Sequence, residues 1–277
     1  MNYKLTNSRT LKTLLAREGF RPRRSAGQHF LVCPEVVETN LLALAGAPRQ
    51  ATELGSGVGT LTQALVAAGF AVKAVERDVQ LARVLQVVIP RAQRSRLELV
   101  IHDLRDVSWE WQVPYCLVGN IPYNLSGFII RRLVQLDPAP ERAVLLVQKE
   151  VGERVKTGAP HMSLLGLTVH LWGEVTMLLK VPRSCFWPQP RVDSQLLLVV
   201  PHHHYTVEER EEIIALARRF FQAKRKQIGG TLARILEISP TRVARHLHEL
   251  GLRPAQRPQE LALEQWRALV LSLPAVR

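Results

Sequence analysis

The residues Asn120-Ile121-Pro122-Tyr123 form an Asn-x-Pro-Tyr tetrad that follows the apolar run 113–118 and Gly119. This run predicts a buried strand, so the tetrad lies at the carboxyl end of a strand, where open α/β sheets bind ligands. The Asn120 amide oxygen and the Ile121 carbonyl can together accept both hydrogens of an exocyclic amino group, while Pro122 restrains the backbone between them and the aromatic ring. The Tyr123 ring can stack on the base that carries the amine. The tetrad indicates chemistry on the amino group of an adenine, and a turn capped by Asn120 is the alternative.

A glycine-rich turn, Glu53-Leu54-Gly55-Ser56-Gly57-Val58-Gly59-Thr60, joins a predicted short strand to an amphipathic helix. Glycines let the backbone approach a ligand closely, and the helix N-terminus offers free N–H groups. A dinucleotide-binding turn has the spacing G-x-G-x-x-G, but Thr60 stands at the third glycine position here. Glu76 ends the next predicted strand and can accept both hydroxyls of a ribose. The pattern favours S-adenosylmethionine (SAM) over NAD, with an ordinary tight turn as the alternative.

Asp103 closes a third predicted strand, 97–101, and can accept a hydrogen bond from the adenine amino group of that cofactor. An Asp in this place is also a common cap. The order along the chain supports the binding interpretation, because the glycine turn, the two acids and the tetrad each follow a successive strand.

With these motifs in view, the chain resembles the KsgA-like small-subunit rRNA adenine dimethyltransferases, over about residues 20–272. The Erm enzymes, which methylate large-subunit rRNA, are the related branch. Matching stretches in family order are 24–31 (RSAGQHFL), 148–154 (QKEVGER), 181–194 (VPRSCFWPQPRVDS) and 221–226 (FQAKRK). The chain departs from the family at Ser56, where most KsgA-like proteins have Pro, at His29, where Asn is commoner, and in the loop 158–167.

The resemblance implies a Rossmann-like class I SAM-dependent methyltransferase domain with a small all-helical C-terminal domain. It implies cofactor contacts by Gln28, His29, Leu31, Gly55, Gly57, Glu76, Asp103 and Asn120. It also implies a catalytic centre of Asn120, Ile121, Pro122, Tyr123 and Phe186, in which Asn120 and the Ile121 carbonyl hold the amine while Tyr123 and Phe186 stack on the two faces of the base.

The net charge of +13 and the pI of about 10.4 favour a polyanionic partner. Basic residues cluster before the first motif and again in the C-terminal part. We predict RNA contacts from Arg23, Arg24, Lys224, Arg225 and Lys226, and solvated helix faces are the alternative.

Apolar runs alternate with helical patterns up to about residue 200, which predicts a parallel sheet, and only helical periodicity follows. The expected division is a methyltransferase domain at 1–203, with a basic extension at 1–30, and a helical RNA-binding domain at 204–277. Expected strands are 51–54, 71–76, 97–101, 115–119, 143–148, 175–181 and 195–200. Expected C-terminal helices are 208–221, 224–236, 241–250 and 263–273.

The cysteines Cys33, Cys116 and Cys185 are too few and too scattered for a disulfide framework or a zinc site, so no metal is expected. The sequence contains no signal peptide and no 18-residue apolar run, which predicts a cytoplasmic protein without membrane contact; an organellar matrix is the alternative. We also expect a monomer.

Three functions fit the sequence. The first is dimethylation of adenines in small-subunit rRNA, within a ribosomal precursor. The second is the same chemistry on large-subunit rRNA. The third is an assembly or transcription factor that uses the fold for binding. The basic stretch 224–226 and the stretch 148–154 favour the first over the second, and the intact Asn120, Tyr123 and Glu76 argue against the third as the sole function.

Overall fold

The structure is a computed structural model that describes residues 3–23, 27–223 and 225–273. The chain divides into two compact units: Met1–Gly152 with Val175–Pro201, and Glu153–Glu174 with His202–Arg277. Arg24 and Lys224, both predicted to contact RNA, lie outside the described residues.

The strands form one small and one large sheet. In chain order they are β1 (Phe30–Leu31), β2 (Gln50–Leu54), β3 (Ala71–Glu76), β4 (Leu97–Ile101), β5 (Cys116–Asn120), β6 (Arg142–Gln148), β7 (Gly173–Val181), β8 (Phe186–Trp187) and β9 (Ser194–Pro201). The large sheet has the order β4-β3-β2-β5-β6-β9-β7, and β1 pairs with β8 in an antiparallel ribbon.

The large sheet is mixed. β2 pairs in parallel with β3 and β5, and β3–β4 and β5–β6 are also parallel. β6 and β9 are antiparallel. The expectation of a parallel sheet is therefore wrong at β9. β9 lies beside β7 in the sheet, and the segment 182–193 leads from β7 to β9. Two neighbouring parallel strands need a crossover of a dozen or more residues, usually a helix, and this segment holds no α-helix.

Helices cover the first unit and bring the glycine turn and the tetrad to the sheet edge. They are α1 (Ser8–Arg17), α2 (Pro34–Ala43), α3 (Thr60–Ala67), α4 (Val79–Val88) and α5 (Ser126–Leu133), and α6 (Lys149–Lys156) runs across the division between the units. β5 and β6 have continuously buried apolar interiors, as central strands covered on both faces do. Asp78 caps α4 by accepting from the Gln80 and Leu81 amides.

The second unit is helical, with α7 (Leu164–His170), α8 (Val207–Phe221), α9 (Ile228–Leu236), α10 (Pro240–Glu249) and α11 (Leu263–Leu271). Phe220 and Trp266 meet edge to face at 5.6 Å in its core. Leu167 and Leu171 of α7 belong to the same buried cluster. The structure thus adds residues 153–174 to this unit, which the expected division at residue 203 did not, because α7 buries its apolar face there. The division into a methyltransferase domain and an RNA-binding domain stays a prediction.

Helix α9 begins later than expected. The sequence predicted a start at Lys224, but the helix starts at Ile228, and the Lys226 amide donates to the Ala223 carbonyl at 2.7 Å in a turn before it. Cations in a first helical turn oppose the helix dipole, so a start beyond Arg225 and Lys226 is the more favourable arrangement.

No helix in the described part of the chain has the length and apolarity that crossing a membrane requires.

Candidate functional site

A cavity of about 310 Å³ opens in the first unit where β2, β3, β4 and β5 end. All the residues predicted to contact the cofactor line it: Gln28, His29, Leu31, Gly55, Gly57, Glu76, Asp103 and Asn120. Pro122 and Arg23 line it as well. The sheet therefore gathers residues from separate parts of the sequence into one site.

The glycine turn forms one wall of the cavity. Gly55 and Gly57 have φ values of 76° and 55°, which disfavour residues with a side chain. A Cβ at Gly57 would lie 3.4 Å from the Phe30 ring, and one at Gly55 would lie 3.6 Å from Cδ of Pro122. The positive φ values account for glycine at both positions.

Glu76 presents a fixed carboxylate to the cavity. Its Oε2 accepts from the Gly57 amide and its Oε1 from the Asp78 amide, both at 2.8 Å. Burial raises the pKa of this carboxyl group, and the two amide donors oppose that shift. Each oxygen keeps a second lone-pair site, so the carboxylate can accept two further hydroxyl groups.

Glu53 is a second buried acid in the cavity wall. Its Oε2 accepts from the Thr62 hydroxyl at 2.5 Å. Burial raises the pKa of Glu53 to about 8, so this carboxyl group is mainly protonated at pH 7. Glu53 and Glu76 thus differ, because a hydroxyl donates to Glu53 and main-chain amides of Gly57 and Asp78 donate to Glu76.

Asp103 is anchored by an arginine. Arg105 donates from Nε to Oδ1 and from Nη2 to Oδ2, each at 2.9 Å, and its amide donates to Oδ1 at 3.0 Å. These bonds hold the pKa of Asp103 well below its usual range. The carboxylate is ionised, and Oδ2 keeps a lone-pair site for a donor in the cavity.

A hydrogen bond fixes the orientation of the Asn120 side-chain amide. Its Nδ2 lies 2.9 Å from the His29 carbonyl oxygen, which can only accept, so Oδ1 is the free end. The Ile121 amide donates to the Leu146 carbonyl at 3.0 Å. In the described part of the chain, neither Asn120 Oδ1 nor the Ile121 carbonyl receives a hydrogen bond. Two acceptors on adjacent residues are therefore available to one amine.

Tyr123 is held at both ends of its side chain. Its hydroxyl lies 2.8 Å from the Ser194 hydroxyl, and its ring stacks on the His29 ring at 5.8 Å between centroids with an interplanar angle of 26°. Burial raises the pKa of the Tyr123 phenol, so it is neutral at pH 7. The His29 Nδ1 lies 2.7 Å from the Pro188 carbonyl and must carry the hydrogen of that bond.

The structure leaves three predicted catalytic residues out of the cavity lining: Ile121, Tyr123 and Phe186. Ile121 and Tyr123 are neighbours of lining residues. Phe186 is only 2% exposed and pairs with Leu31 through the ribbon of β1 and β8. In this conformation Phe186 supports Leu31 and shows no face to the cavity.

Two predicted site residues, Arg23 and Gln28, share Asp78 as a partner. Arg23 forms an ion pair with Asp78 at 2.8 Å, so its charge is already balanced. Gln28 donates to the same carboxylate at 3.1 Å and accepts from the Arg23 amide at 2.7 Å. The side chain of Gln28 thus organises the segment before β1.

Sequence reasoning missed Asp78, which lines the cavity and binds both of these residues. A signal for it existed, since an Asp immediately before an amphipathic helix is a typical N-cap. It also missed Asn40 of α2, which lines the cavity and is 2% exposed. No pattern in the sequence marked this asparagine.

The sequence profile of the family described as ribosomal RNA adenine dimethylase matches residues 19–273. The chain belongs to this family. It is 36% identical over 267 residues to Ribosomal RNA small subunit methyltransferase A of Opitutus terrae, covering 93% of this chain and 95% of the relative. It is 32% identical over 264 residues to the protein of the same name from Dehalococcoides mccartyi, covering 92% and 90%.

Among solved structures, a dimethyladenosine transferase from Plasmodium falciparum superposes with a TM-score of 0.73 at 23% identity, covering 88% of this chain and 96% of that one. At this identity the likeness shows the fold. These findings confirm the family resemblance and the fold class predicted from the motifs.

Proposed function

We propose that the protein is a SAM-dependent dimethyltransferase that modifies adenine amino groups of small-subunit rRNA during ribosome assembly. One observation carries the proposal: Glu76, Asp103 and Asn120, at the ends of three strands, line one cavity. Membership of the family and the names of the two relatives support it.

The residues present fit the cofactor. Glu76 would hold the ribose hydroxyls, because both of its oxygens are fixed and each has a free lone-pair site. Asp103 would accept from the adenine amino group, and the glycine turn would pass close to the rest of the molecule. Gln28, His29 and Leu31 would close the other side, where they line the cavity. When bound, the cofactor supplies an electrophilic methyl group on its sulfonium.

The target amine would meet Asn120 Oδ1 and the Ile121 carbonyl. The lone pair of an adenine amine is delocalised into the ring, which makes the neutral amine a poor nucleophile. Two acceptors at tetrahedral angles favour a pyramidal nitrogen and expose that lone pair. The His29 carbonyl contributes by fixing the Asn120 amide. Orientation of this kind can supply much of the rate enhancement without acid–base chemistry.

Tyr123 would stack on the flipped base, with the Ser194 hydroxyl holding the phenol. Phe186 was predicted for the opposite face. At 2% exposure it can reach a base only if the segment around it moves when RNA binds. Stacking by Phe186 stays a prediction.

The RNA surface we propose includes Arg225 and Lys226, which are exposed in the turn before α9. Arg23 is a weaker contributor, because its charge is balanced by Asp78. Arg24 and Lys224 remain part of the prediction. The substrate would be rRNA within a small-subunit precursor. The predicted cytoplasmic monomer stays a prediction, with the organellar matrix as its alternative.

The experiment that tests the function is incubation with labelled SAM and either undermethylated small-subunit particles or naked large-subunit rRNA, followed by mapping of the labelled base. We expect dimethyladenine in the small-subunit rRNA only. Label in the large-subunit rRNA alone would favour the Erm-like reaction. Binding to particles without label in either RNA would favour an assembly factor.

A further inference from the structure

Cys33 and Cys185 lie at the same end of the ribbon that β1 and β8 form. Cys33 stands just after β1, and Cys185 directly precedes β8. The Val32 amide donates to the Cys185 carbonyl at 2.8 Å, which continues the pairing of Leu31 with Phe186. Folding therefore brings together two cysteines that are far apart in the sequence.

The two side chains are also in contact. The thiols of Cys33 and Cys185 are hydrogen-bonded to each other, and neither is in a disulfide. Both residues are partly exposed, whereas Cys116 is buried in β5. A zinc site would need further ligands, and the described part of the chain contains no group of three or more residues that could hold a metal ion. Two accessible thiols in contact instead meet the requirement for an intramolecular disulfide.

We propose that Cys33 and Cys185 form a reversible disulfide that locks the ribbon in the conformation in which Phe186 is buried. The bond joins the end of β1 to the start of β8, so the two strands cannot separate there. The consequence for activity rests on the proposed function, in which Phe186 reaches a base only after this segment moves. Oxidation then slows methyl transfer and leaves cofactor binding unchanged.

The oxidant in this proposal is a low-molecular-weight disulfide. Burial, together with the neighbouring Cys33 thiol, raises the pKa of Cys185 to about 12, so Cys185 is a thiol at pH 7. The Cys33 sulfur therefore attacks first, bonds to one sulfur of the oxidant and expels the other half as a thiolate. The Cys185 thiol then loses its proton to solvent, and its sulfur attacks that of Cys33 and expels the second half. Two protein thiols are oxidised to one disulfide, and one oxidant molecule is reduced to two thiols.

Peptide mapping tests whether the bond forms. The full chain is incubated with oxidised glutathione, free thiols are alkylated under unfolding conditions, and peptides are identified by mass spectrometry without reduction. We expect a peptide pair joined through Cys33 and Cys185, which dithiothreitol separates, and an alkylated Cys116. Cys116→Ser is the matched control and should form the same bond. Glutathione attached to either cysteine without a bond between the two would contradict the proposal.

Hydrogen exchange tests the lock without reference to activity. The amides of residues 30–33 and 185–187 should exchange more slowly in the oxidised protein than in the reduced protein, because local opening of the ribbon is restricted. Cys33→Ser, treated with the same oxidant, should exchange as the reduced wild type does. Equal exchange in the oxidised and reduced wild type would show that the bond does not restrain the ribbon.

Methyl transfer tests the consequence for activity. Single-turnover transfer to undermethylated small-subunit particles should fall about 5–150-fold on oxidation of the wild type, the range for losing one base–aromatic stack. Cys33→Ser should keep its rate after the same treatment, and the affinity of the oxidised wild type for S-adenosylhomocysteine should be unchanged. An oxidised wild type that transfers at the reduced rate would overturn the inhibitory lock. A reduced wild type without any transfer would instead overturn the proposed function, while the mapping and exchange results would still stand.

Discussion

At the scale of single residues, the site depends on side chains whose polar ends are each fixed by another group. The Asn120 Nδ2 donates to the His29 carbonyl. The ring of the same histidine stacks on Tyr123, and its Nδ1 donates to the Pro188 carbonyl. His29, the residue before β1, therefore orients both Asn120 and Tyr123. A carbonyl partner matters here, because it can only accept and so decides which end of the amide faces the cavity.

Glu76→Ala should weaken SAM binding by about 1–3 kcal/mol, the cost of leaving polar groups unpaired. Both of its oxygens are held by main-chain amides, so the carboxylate is placed before the ligand arrives. Calorimetry measures the effect, and Glu98→Ala, exposed on β4, is the control. Unchanged affinity in Glu76→Ala would refute the cofactor assignment, and a preference for NAD would restore the dinucleotide alternative.

Glu53 should make the protein less stable as the pH rises. The native carboxyl group keeps its proton until its pKa of about 8, while the unfolded chain releases it near 4.5. The native state therefore binds more protons within this window, and the free energy of unfolding falls from pH 4.5 to pH 8. Melting temperatures across this window should fall more steeply in the wild type than in Glu53→Gln.

Buried Glu76 acts in the same direction, so the slope in Glu53→Gln should be reduced rather than abolished. Glu98→Gln, exposed on β4, is the control and should follow the wild type. Equal slopes in the wild type and Glu53→Gln would show that Glu53 is ionised in the native state.

At the scale of elements, the sequence predicted the strands with regular apolar patterns. The segments 71–76 and 97–101 match β3 and β4, and the other large-sheet strands are displaced by no more than two residues at either end. β1 and β8 were not predicted. Two residues show no periodicity, so these strands are defined by their pairing with each other. That pairing also buries Phe186, which is why its expected place beside the base did not follow from the motif.

Gly119→Ala should disturb the site through the sheet. Gly119 precedes Asn120 in β5, and a Cβ there would lie 2.8 Å from the Leu54 carbonyl oxygen of neighbouring β2. Because that atom is backbone, a strand must shift. We expect a loss of about 1–3 kcal/mol in stability, as for overpacking, and lower methyl transfer. Thermal unfolding and label transfer measure the two effects.

Gly158→Ala is the control, because a Cβ there would meet no atom within 4 Å. Wild-type stability in Gly119→Ala would mean that the two strands can separate at this point without cost. The close approach of β2 and β5 would then contribute nothing to the placing of Asn120.

At the scale of the whole molecule, the net charge of +13 predicted a polyanionic partner but not where it binds. The structure shows why a cluster of charges in the sequence can mislead, because Arg23 is paired with Asp78 from a distant part of the chain. Charge counted along a chain ignores carboxylates that folding brings near. The compact units likewise group 153–174 with the C-terminal helices, which no pattern in the sequence indicates, because only tertiary packing joins α7 to the C-terminal core.

Replacing Lys224, Arg225 and Lys226 together with Gln should lower RNA affinity. The slope of log affinity against log salt concentration should also become less steep, by up to about 0.9 for each phosphate that the variant no longer neutralises. This coefficient is the one for duplex DNA. SAM affinity should stay the same, because the cavity lies in the first unit. Filter binding across salt concentrations measures the slope. Arg267→Gln is the control, since Arg267 is paired with Glu209. An unchanged slope in the triple variant would show that the cluster is a solvated surface.

The central claim is that Asn120 holds the reacting amine, and methyl transfer by Asn120→Ala tests it most directly. Single-turnover transfer of labelled methyl groups from SAM to undermethylated small-subunit particles should fall by at least about 100-fold, the scale for removing one preorganised hydrogen-bonding group. RNA affinity should fall little, because phosphate contacts supply most of it. If Asn120→Ala transfers methyl groups at a rate close to that of the wild type, the catalytic centre lies elsewhere.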